Sequence, residues 1–130
     1  MLVNLTNHKL STWPKEQVKE AINTFGEVVD LIPPKIEPLF SIQEVLALAR
    51  HFTAMAIKLL AKSREAESGV LVSGEFTFIW CCINLLQLKG VDCYAATTPN
   101  NKIVESPNTI TSTYQFSRFR KYLTTEEMNG

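Results

Sequence analysis

Residues 69–90 read GVLVSGEFTFIWCCINLLQLKG, and this stretch decides the fold. Val70-Leu71-Val72 is a β-branched-rich run of the kind that fills a strand buried on both faces. Ser73-Gly74-Glu75 interrupts it. Phe76 to Leu88 is then apolar almost all the way round, with only Thr77, Asn84 and Gln87 polar. As a helix this run rises roughly 20 Å, short of a ~30 Å bilayer core, so it belongs in the middle of a globular domain. Lys89-Gly90 supplies a cation for the last turn and a glycine for the position after it. Val91 to Ala96 reads as the next strand. The unit is βαβ, with Ser73-Gly74-Glu75 at the carboxyl end of a central strand and the start of the following helix.

Upstream, Leu2 to Asn7 is a first strand whose carboxyl end is marked by Asn7-His8-Lys9. Ser11-Thr12-Trp13-Pro14 predicts a helix start, with Thr12 or Ser11 supplying the capping hydroxyl. Val18, Ala21, Ile22 and Phe25 form its apolar face, and Gly26 stops it. Glu27 to Ile32 is a second strand, broken by Pro33-Pro34 and Pro38. Ser41 with Glu44 is a capping box opening a helix from Ile42 to Ala61, with Val45, Leu48, Ala49, Phe52, Met55, Ala56, Leu59 and Leu60 on its apolar side.

Downstream, Thr97-Thr98-Pro99-Asn100-Asn101 is a polar loop and Ile103-Val104-Glu105 a short strand. Ser106-Pro107-Asn108 is turn chemistry. Thr111 to Phe119 alternates, with Tyr114, Phe116 and Arg118 on one side and Thr113, Gln115, Ser117 and Phe119 on the other. These pieces predict an antiparallel hairpin on the sheet edge. The expected architecture is α/β: a doubly wound, Rossmann-like parallel sheet of order 2-1-3-4 with a C-terminal hairpin. One domain is expected over residues 1–123, followed by a polar, frayed tail over 124–130.

The chain has 130 residues, 45% apolar and 20% charged, with zero formal net charge. That balance argues against a broad surface for long nucleic acid. Met1-Leu2-Val3-Asn4 already reads as a strand with no basic run before it, so no secretory leader is expected. Cys81, Cys82 and Cys93 lie in apolar surroundings and lack a C-x₂-C spacing. They read as reduced core thiols of a cytoplasmic protein, with no metal site and no cofactor implied.

Three polar clusters fall at strand carboxyl ends: Asn7-His8-Lys9, Ser73-Gly74-Glu75 and Thr97-Thr98. Ligands of such sheets bind in the crevice there. Histidine titrates near neutral pH and carries protons, so His8 is a candidate acid–base group as well as an ordinary loop residue. Gly74 permits close backbone approach, and the amides after it can meet a phosphate. Glu75 caps the helix dipole or acts as a base or ribose contact. Thr97 and Thr98 offer hydroxyls, or simply make a polar loop. His51 sits by the apolar stripe of its helix and reads as structural. Arg118, Arg120 and Lys121 are interleaved with Tyr114, Phe116, Phe119 and Tyr122, which suits nucleotide stacking or a charge-protected edge strand. The chain carries no G-x-G-x-x-G, no Walker lysine motif and no G-x-S-x-G elbow. It also lacks a phosphate-cradling loop after a cysteine and an acidic cluster ending the first strand.

Met1 to His8, Trp13, the Gly26-Glu27-Val28-Val29-Asp30-Leu31 strand, Gly74-Glu75-Phe76-Thr77-Phe78, Thr97-Thr98 and Phe116-Ser117-Arg118-Phe119-Arg120 together resemble a family of small CRISPR-associated proteins. The resemblance implies a CRISPR-associated Rossmann-like (CARF-like) domain of type III systems. Such domains bind cyclic oligoadenylates across a homodimer, and the small stand-alone ones include ring nucleases. The family often has proline after the Asn-His pair; here Lys9 follows, and its charge suits a phosphate. The implied chemistry is metal-independent, with a ribose 2′-hydroxyl attacking the adjacent phosphate. On that reading His8 and Glu75 are catalytic. Asn7, Lys9, Ser73, Gly74, Thr77, Thr97, Thr98 and Arg118 bind ligand. A non-catalytic sensor of the same messenger, or an unrelated nucleotide-binding or scaffolding protein of this fold, are the competing readings.

Overall fold

A computed structural model describes residues 1–99, 104–106, 109–111 and 115–130. The elements are β1 Leu2–Leu5, a 3₁₀ turn at Leu10–Thr12, α1 Lys15–Phe25, β2 Val28–Asp30, α2 Ile42–Ala61 and β3 Gly69–Val72. They continue with α3 Phe76–Leu88, β4 Cys93–Thr97, β5 Val104–Ser106, β6 Thr109–Thr111, β7 Arg118–Lys121 and α4 Thr125–Asn129. The main sheet has the order β2-β1-β3-β4-β7. Its first four strands are parallel, and β7 runs antiparallel to β4.

The central strands are buried on both faces because each alternates its side chains between two cores. Leu2 and Leu71, with Tyr94 and Phe119 beside them, pack on Trp13, Ala21 and Phe25 at the α1 side. Val3, Leu5, Val70, Val72 and Cys93 pack beneath α2 and α3. Helices thus cover both faces, as the βαβ pattern predicts. At Gly69 the Tyr94 ring lies close against the strand backbone, since a Cβ there would lie 2.5 Å from Tyr94 Cε2.

The C-terminal antiparallel hairpin is formed, but not on the edge of the main sheet. β5 pairs with β6 in a separate two-stranded ladder, and β7 alone joins the main sheet. Strict alternation over Gln115–Phe119 fails because Phe116 and Phe119, three residues apart, hold their rings 4.8 Å from each other. Residues 115–117 are not strand. Phe119 also meets Phe25 at 6.2 Å and Trp13 at 6.3 Å, which anchors β7 through the α1-side core. Tyr114, Thr113, Ile103, Asn100, Asn101, Pro107 and Asn108 lie outside the described residues.

The start of α1 also differs. Pro14 precedes its first turn with no capping side chain, and the Thr12 hydroxyl donates instead to the Lys9 carbonyl at 2.7 Å, closing the 3₁₀ turn. The buried stripe of α1 is Gln17, Ala21 and Phe25, while Ile22 is exposed. The Ser41–Glu44 capping box is formed as predicted. Where the polar tail reads as frayed, Thr125–Asn129 is a short helix with its own capping box at Thr124 and Glu127. Lys121 reaches both Glu127, at 3.1 Å, and Asp92, at 3.5 Å.

Helix α3 is apolar all round but not buried all round. Phe78, Cys81, Cys82 and Leu86 face the core, whereas Phe76, Trp80 and Leu88 are exposed. The sheet lies beneath it and α2 beside it, which uses two sides of the helix and leaves the third outward. Among the described residues, no helix is long and apolar enough to cross a membrane.

All three cysteines are unpaired and buried. Burial pushes the Cys82 thiol up to about 12, with Cys81 and Cys93 nearby adding to it, and burial likewise pushes Cys93 up to about 12. Both therefore stay protonated and inert at neutral pH. Native protein treated with a thiol reagent at pH 8 should label Cys82 and Cys93 at least ~10³-fold more slowly than guanidinium-unfolded protein. Rapid stoichiometric labelling of the native fold would show that these thiols are not core residues.

Candidate functional site

The loop leaving β1 is built on a buried amide. Asn4 has no solvent exposure. Its Nδ2 donates to the His8 carbonyl and to Asp30 Oδ1, both at 2.8 Å. The Thr6 hydroxyl donates to Asn4 Oδ1 at 2.7 Å, and the His8 amide donates back to Thr6 Oγ1 at 3.1 Å. Trp13 Nε1 donates to the same His8 carbonyl at 2.8 Å. The Leu10 amide reaches Asp30 Oδ1 at 3.1 Å. These bonds tie the ends of β1 and β2 and the approach to α1 into one knot. They hold the backbone of His8 while its side chain, with those of Asn7 and Lys9, lies exposed.

Two clefts open on either side of this loop. The first has a volume of about 240 Å³ and lies over the carboxyl ends of β1, β3 and β4. Thr6, His8 and Ser73 supply its polar rim, Ala95 and Ala96 its small floor, and Trp13 and Tyr122 its aromatic walls. Gln17 also lines it while being only 1% exposed. The second cleft, about 260 Å³, lies between the loop after β2 and the start of α3. Asn7, Lys35, Gly74 and Glu75 give it polarity, and Pro33, Pro34, Ile36 and Phe78 give it apolar walls. Gly74 takes φ +145°, a conformation that favours glycine, with open space beside it.

Glu75 is the N-cap of α3. Its carboxylate accepts the Thr77 and Phe78 amides at 3.0 Å each and the Thr77 hydroxyl at 2.6 Å. The Thr77 hydroxyl bond, then the Phe78 and Thr77 amides, hold its pKa below the usual carboxylate range. Two consequences follow. Of the amides expected to meet a phosphate after Gly74, those of Thr77 and Phe78 are already engaged by a carboxylate. Thr77 serves the cap rather than a ligand.

His8 and Ser73 share the first cleft, whereas Asn7, Gly74 and Glu75 share the second. His8 and Glu75 are thus not brought to one cleft. Thr97 Oγ1 donates to the Arg118 carbonyl at 3.0 Å and accepts its amide at 3.2 Å, so that hydroxyl secures the end of the β4–β7 ladder. Thr98 is exposed beyond it. The Arg118 side chain lines a wider groove with Phe116, Glu16 and Glu20, on the α1 flank. Lys9 lines none of these three hollows. His51 is exposed and edges the Phe52 ring at 5.4 Å. Among the described residues, no three His, Cys, Asp or Glu side chains gather as a metal set.

Gln17 and Lys35 were missed by sequence reading. Gln17 carries a signal: it stands at i−4 and i−8 from Ala21 and Phe25, a polar residue on a buried stripe. Lys35 follows Pro33-Pro34 after the second strand, a segment that reads only as a breaker.

A family model described as "Uncharacterized protein MJ1673 family" matches residues 1–120, and the chain belongs to that family. Comparison with curated proteins gives no match, and comparison with solved structures gives none.

Asn4→Ala should remove the knot at its centre. Its cost is about 2–3 kcal/mol, since buried partners lose their donors, which lowers Tm by on the order of 10 °C. A variant that melts with wild type would deny Asn4 this role.

Glu75→Gln separates cap from chemistry. A carboxyl depressed in the folded state stabilises it above the unfolded value, near 4.5, and that contribution fades as pH falls through the depressed folded value. For an exposed cap the loss is about 0.5–1 kcal/mol. The Tm gap between wild type and Glu75→Gln should be present at pH 7 and narrow in acid, below the unfolded value. A gap that is the same at both would mean the charge contributes nothing to the cap.

Proposed function

We propose that this member of the MJ1673 family binds a cyclic oligoadenylate at the carboxyl ends of β1, β3 and β4 and opens its ring. On this reading it is a Rossmann-like protein of the CARF class in type III CRISPR systems. The supporting observation is the first cleft. It lies where the sheet order turns outward from β1 and β3, the switch point at which such sheets take ligands. Its hydroxyls, its small floor and its aromatic walls suit one nucleoside unit of a larger ring, with His8 at the rim.

The chemistry needs no group beyond the substrate and the chain. A ribose 2′-oxygen attacks the adjacent phosphorus, the bond from phosphorus to the 5′-oxygen breaks, and the 2′-hydroxyl proton is lost as the 5′-oxygen gains one. The product is linear, with a 2′,3′-cyclic phosphate. His8 is the acid–base candidate that shares the first cleft with Ser73. Lys35 in the second cleft, with Lys9 on the loop between, supplies positive charge for phosphates that cross from one cleft to the other. Glu75 favours a second reading, a sensor that binds without cleaving, because its carboxylate is engaged in the cap and its basicity is reduced. In either case the protein works in the cytoplasm, where its thiols stay reduced.

The test is incubation with cyclic tri-, tetra- and hexa-adenylate, with and without EDTA, followed by chromatography, and calorimetry in parallel. One ring size should be converted to the 2′,3′-cyclic phosphate product, unchanged by EDTA. His8→Ala should slow conversion by about 10²–10⁴-fold with little change in affinity. Binding without conversion would establish the sensor. No binding of any ring would overturn both.

A further inference from the structure

Helices α2 and α3 cover the same side of the sheet. They lie side by side there, with the Phe52 and Phe78 rings 6.3 Å apart. A helical residue two positions after a buried one is turned about 200° from it, away from the core. On α3, Phe78, Cys82 and Leu86 are buried, and Trp80, Asn84 and Leu88 follow each of them by two. On α2, Val45, Ala49 and Ala56 are buried, and Ala47, His51 and Lys58 follow by two. Each of these outward residues is exposed. The two helices therefore present one common outer layer, whose halves differ in chemistry. The α3 half is apolar: Phe76 is 86% exposed, Trp80 68% and Leu88 82%, and no charged residue stands from Phe76 to Leu88. The α2 half is cationic. From Val45 to Arg64 the charged residues are Arg50, Lys58, Lys62 and Arg64, all positive and all exposed. The ion pairs of the described side chains fall on Lys35 and Lys121, not on these four. Glu44, in the first turn of α2, is engaged in the capping box. The whole chain has zero formal net charge, so this concentration of one sign is local.

We propose that this outer layer docks on an anionic lipid surface, α3 entering the interface and α2 meeting the headgroups. Tryptophan, phenylalanine and leucine beside lysine and arginine is the composition of an interfacial helix, and here two neighbouring helices divide the two roles. An indole ring settles at headgroup level, and a cation near an anionic leaflet adds to the attraction. Docking of this kind needs no span, because the side chains enter only the boundary between headgroups and acyl chains, about 5–10 Å deep. The shape of the layer separates a bilayer from other anionic partners. A helical peptide lies in a groove, and a single nucleic-acid strand tracks one. Arg50, Lys58, Lys62, Trp80 and Leu88 line none of the three hollows described above. Side chains as exposed as Phe76, Trp80 and Leu88 stand out from the surface, which suits insertion. A nucleic-acid duplex would engage the cations of α2 and leave the apolar half of the layer in water.

Vesicle co-sedimentation read together with tryptophan emission tests this, because Trp13 is buried and Trp80 is the ring free to meet lipid. Wild type should bind vesicles of phosphatidylcholine with about 30% phosphatidylglycerol at least about 10-fold more tightly than pure phosphatidylcholine, and high salt should shrink the difference. Emission should shift to the blue on binding as Trp80 leaves water. The double variant Lys58→Ala, Lys62→Ala should bind about 25-fold more weakly, since each cation near such a surface is worth about fivefold. Trp80→Glu should weaken binding by at least about 10-fold and abolish the shift. These substitutions fall at exposed positions, so far-ultraviolet dichroism should match wild type; should Trp80→Glu fail to fold, the lysine pair decides. Ile22→Glu, at an exposed position on α1 across the sheet, should bind like wild type. Wild type that does not sediment with the phosphatidylglycerol vesicles would overturn the proposal. So would a folded lysine variant that binds them as wild type does. Binding of a labelled oligouridylate without any binding of vesicles would give the layer to nucleic acid and overturn the lipid surface as its occupant.

Discussion

The arrangement of the strand ends depends on the amide of Asn4. Its side chain is enclosed on the α1 face of β1, where an unpaired amide is costly. It escapes that cost by donating two bonds in two directions, to the His8 carbonyl and the Asp30 carboxylate, and by accepting the Thr6 hydroxyl. The His8 carbonyl in turn accepts Trp13 from the segment that leads into α1. One buried polar group therefore fixes the end of β1 to β2 and sets where α1 begins. This also explains why Thr12 does not cap α1. The knot draws residues 8–13 into a compact 3₁₀ turn, which puts Thr12 over the Lys9 carbonyl and leaves Pro14 to lead into the helix.

A similar economy governs the start of α3. A helix N-terminus opposite a loop glycine is an anion site when its amides are open. Here Glu75 supplies the anion from within the chain, and Thr77 shortens the arrangement with a hydroxyl bond at 2.6 Å. The positive end of the helix is compensated before any ligand arrives. Positive charge near the clefts then comes from side chains, Lys35 within the second cleft and Lys9 on the exposed loop. Any anionic ligand is held by flexible cations more than by fixed backbone dipoles, so its affinity is sensitive to salt.

Much of the sheet is legible in the residues. Apolar runs at Leu2–Leu5 and Gly69–Val72, with helical spacing between them, point to parallel strands covered on both faces, and 2-1-3-4, the simplest order for such a chain, is the one the first four strands take. The C-terminal part is less legible because long-range aromatic packing overrides the local pattern. Phe119 belongs to the core of Phe25 and Trp13, and that attachment, not alternation, selects β7 as the edge strand. The candidate site is legible only as positions. Asn7, His8, Ser73, Gly74 and Glu75 do fall at strand ends, yet the loop knot divides them between two clefts. Sequence spacing carries no information about which side of a loop a side chain takes. Gln17 was hidden because polar residues on a helix are read as solvent-facing by default.

Helix α3 shows the limit of reading hydrophobicity as burial. A helix packed on a sheet with one neighbouring helix has three sides, and the fold covers only two of them. Thr77, Asn84 and Gln87 do not mark the third side as a polar stripe: Thr77 serves the cap, Asn84 bonds its own helix, and Gln87 holds the Tyr122 and Leu123 carbonyls. Every polar side chain of the helix is thus engaged within the chain. What remains outward is Phe76, Trp80 and Leu88, for which water is the least favourable neighbour. The residues that make this helix a good core element on one side make it an adhesive surface on the other. The adhesive surface starts one residue after the cap that shapes the second cleft.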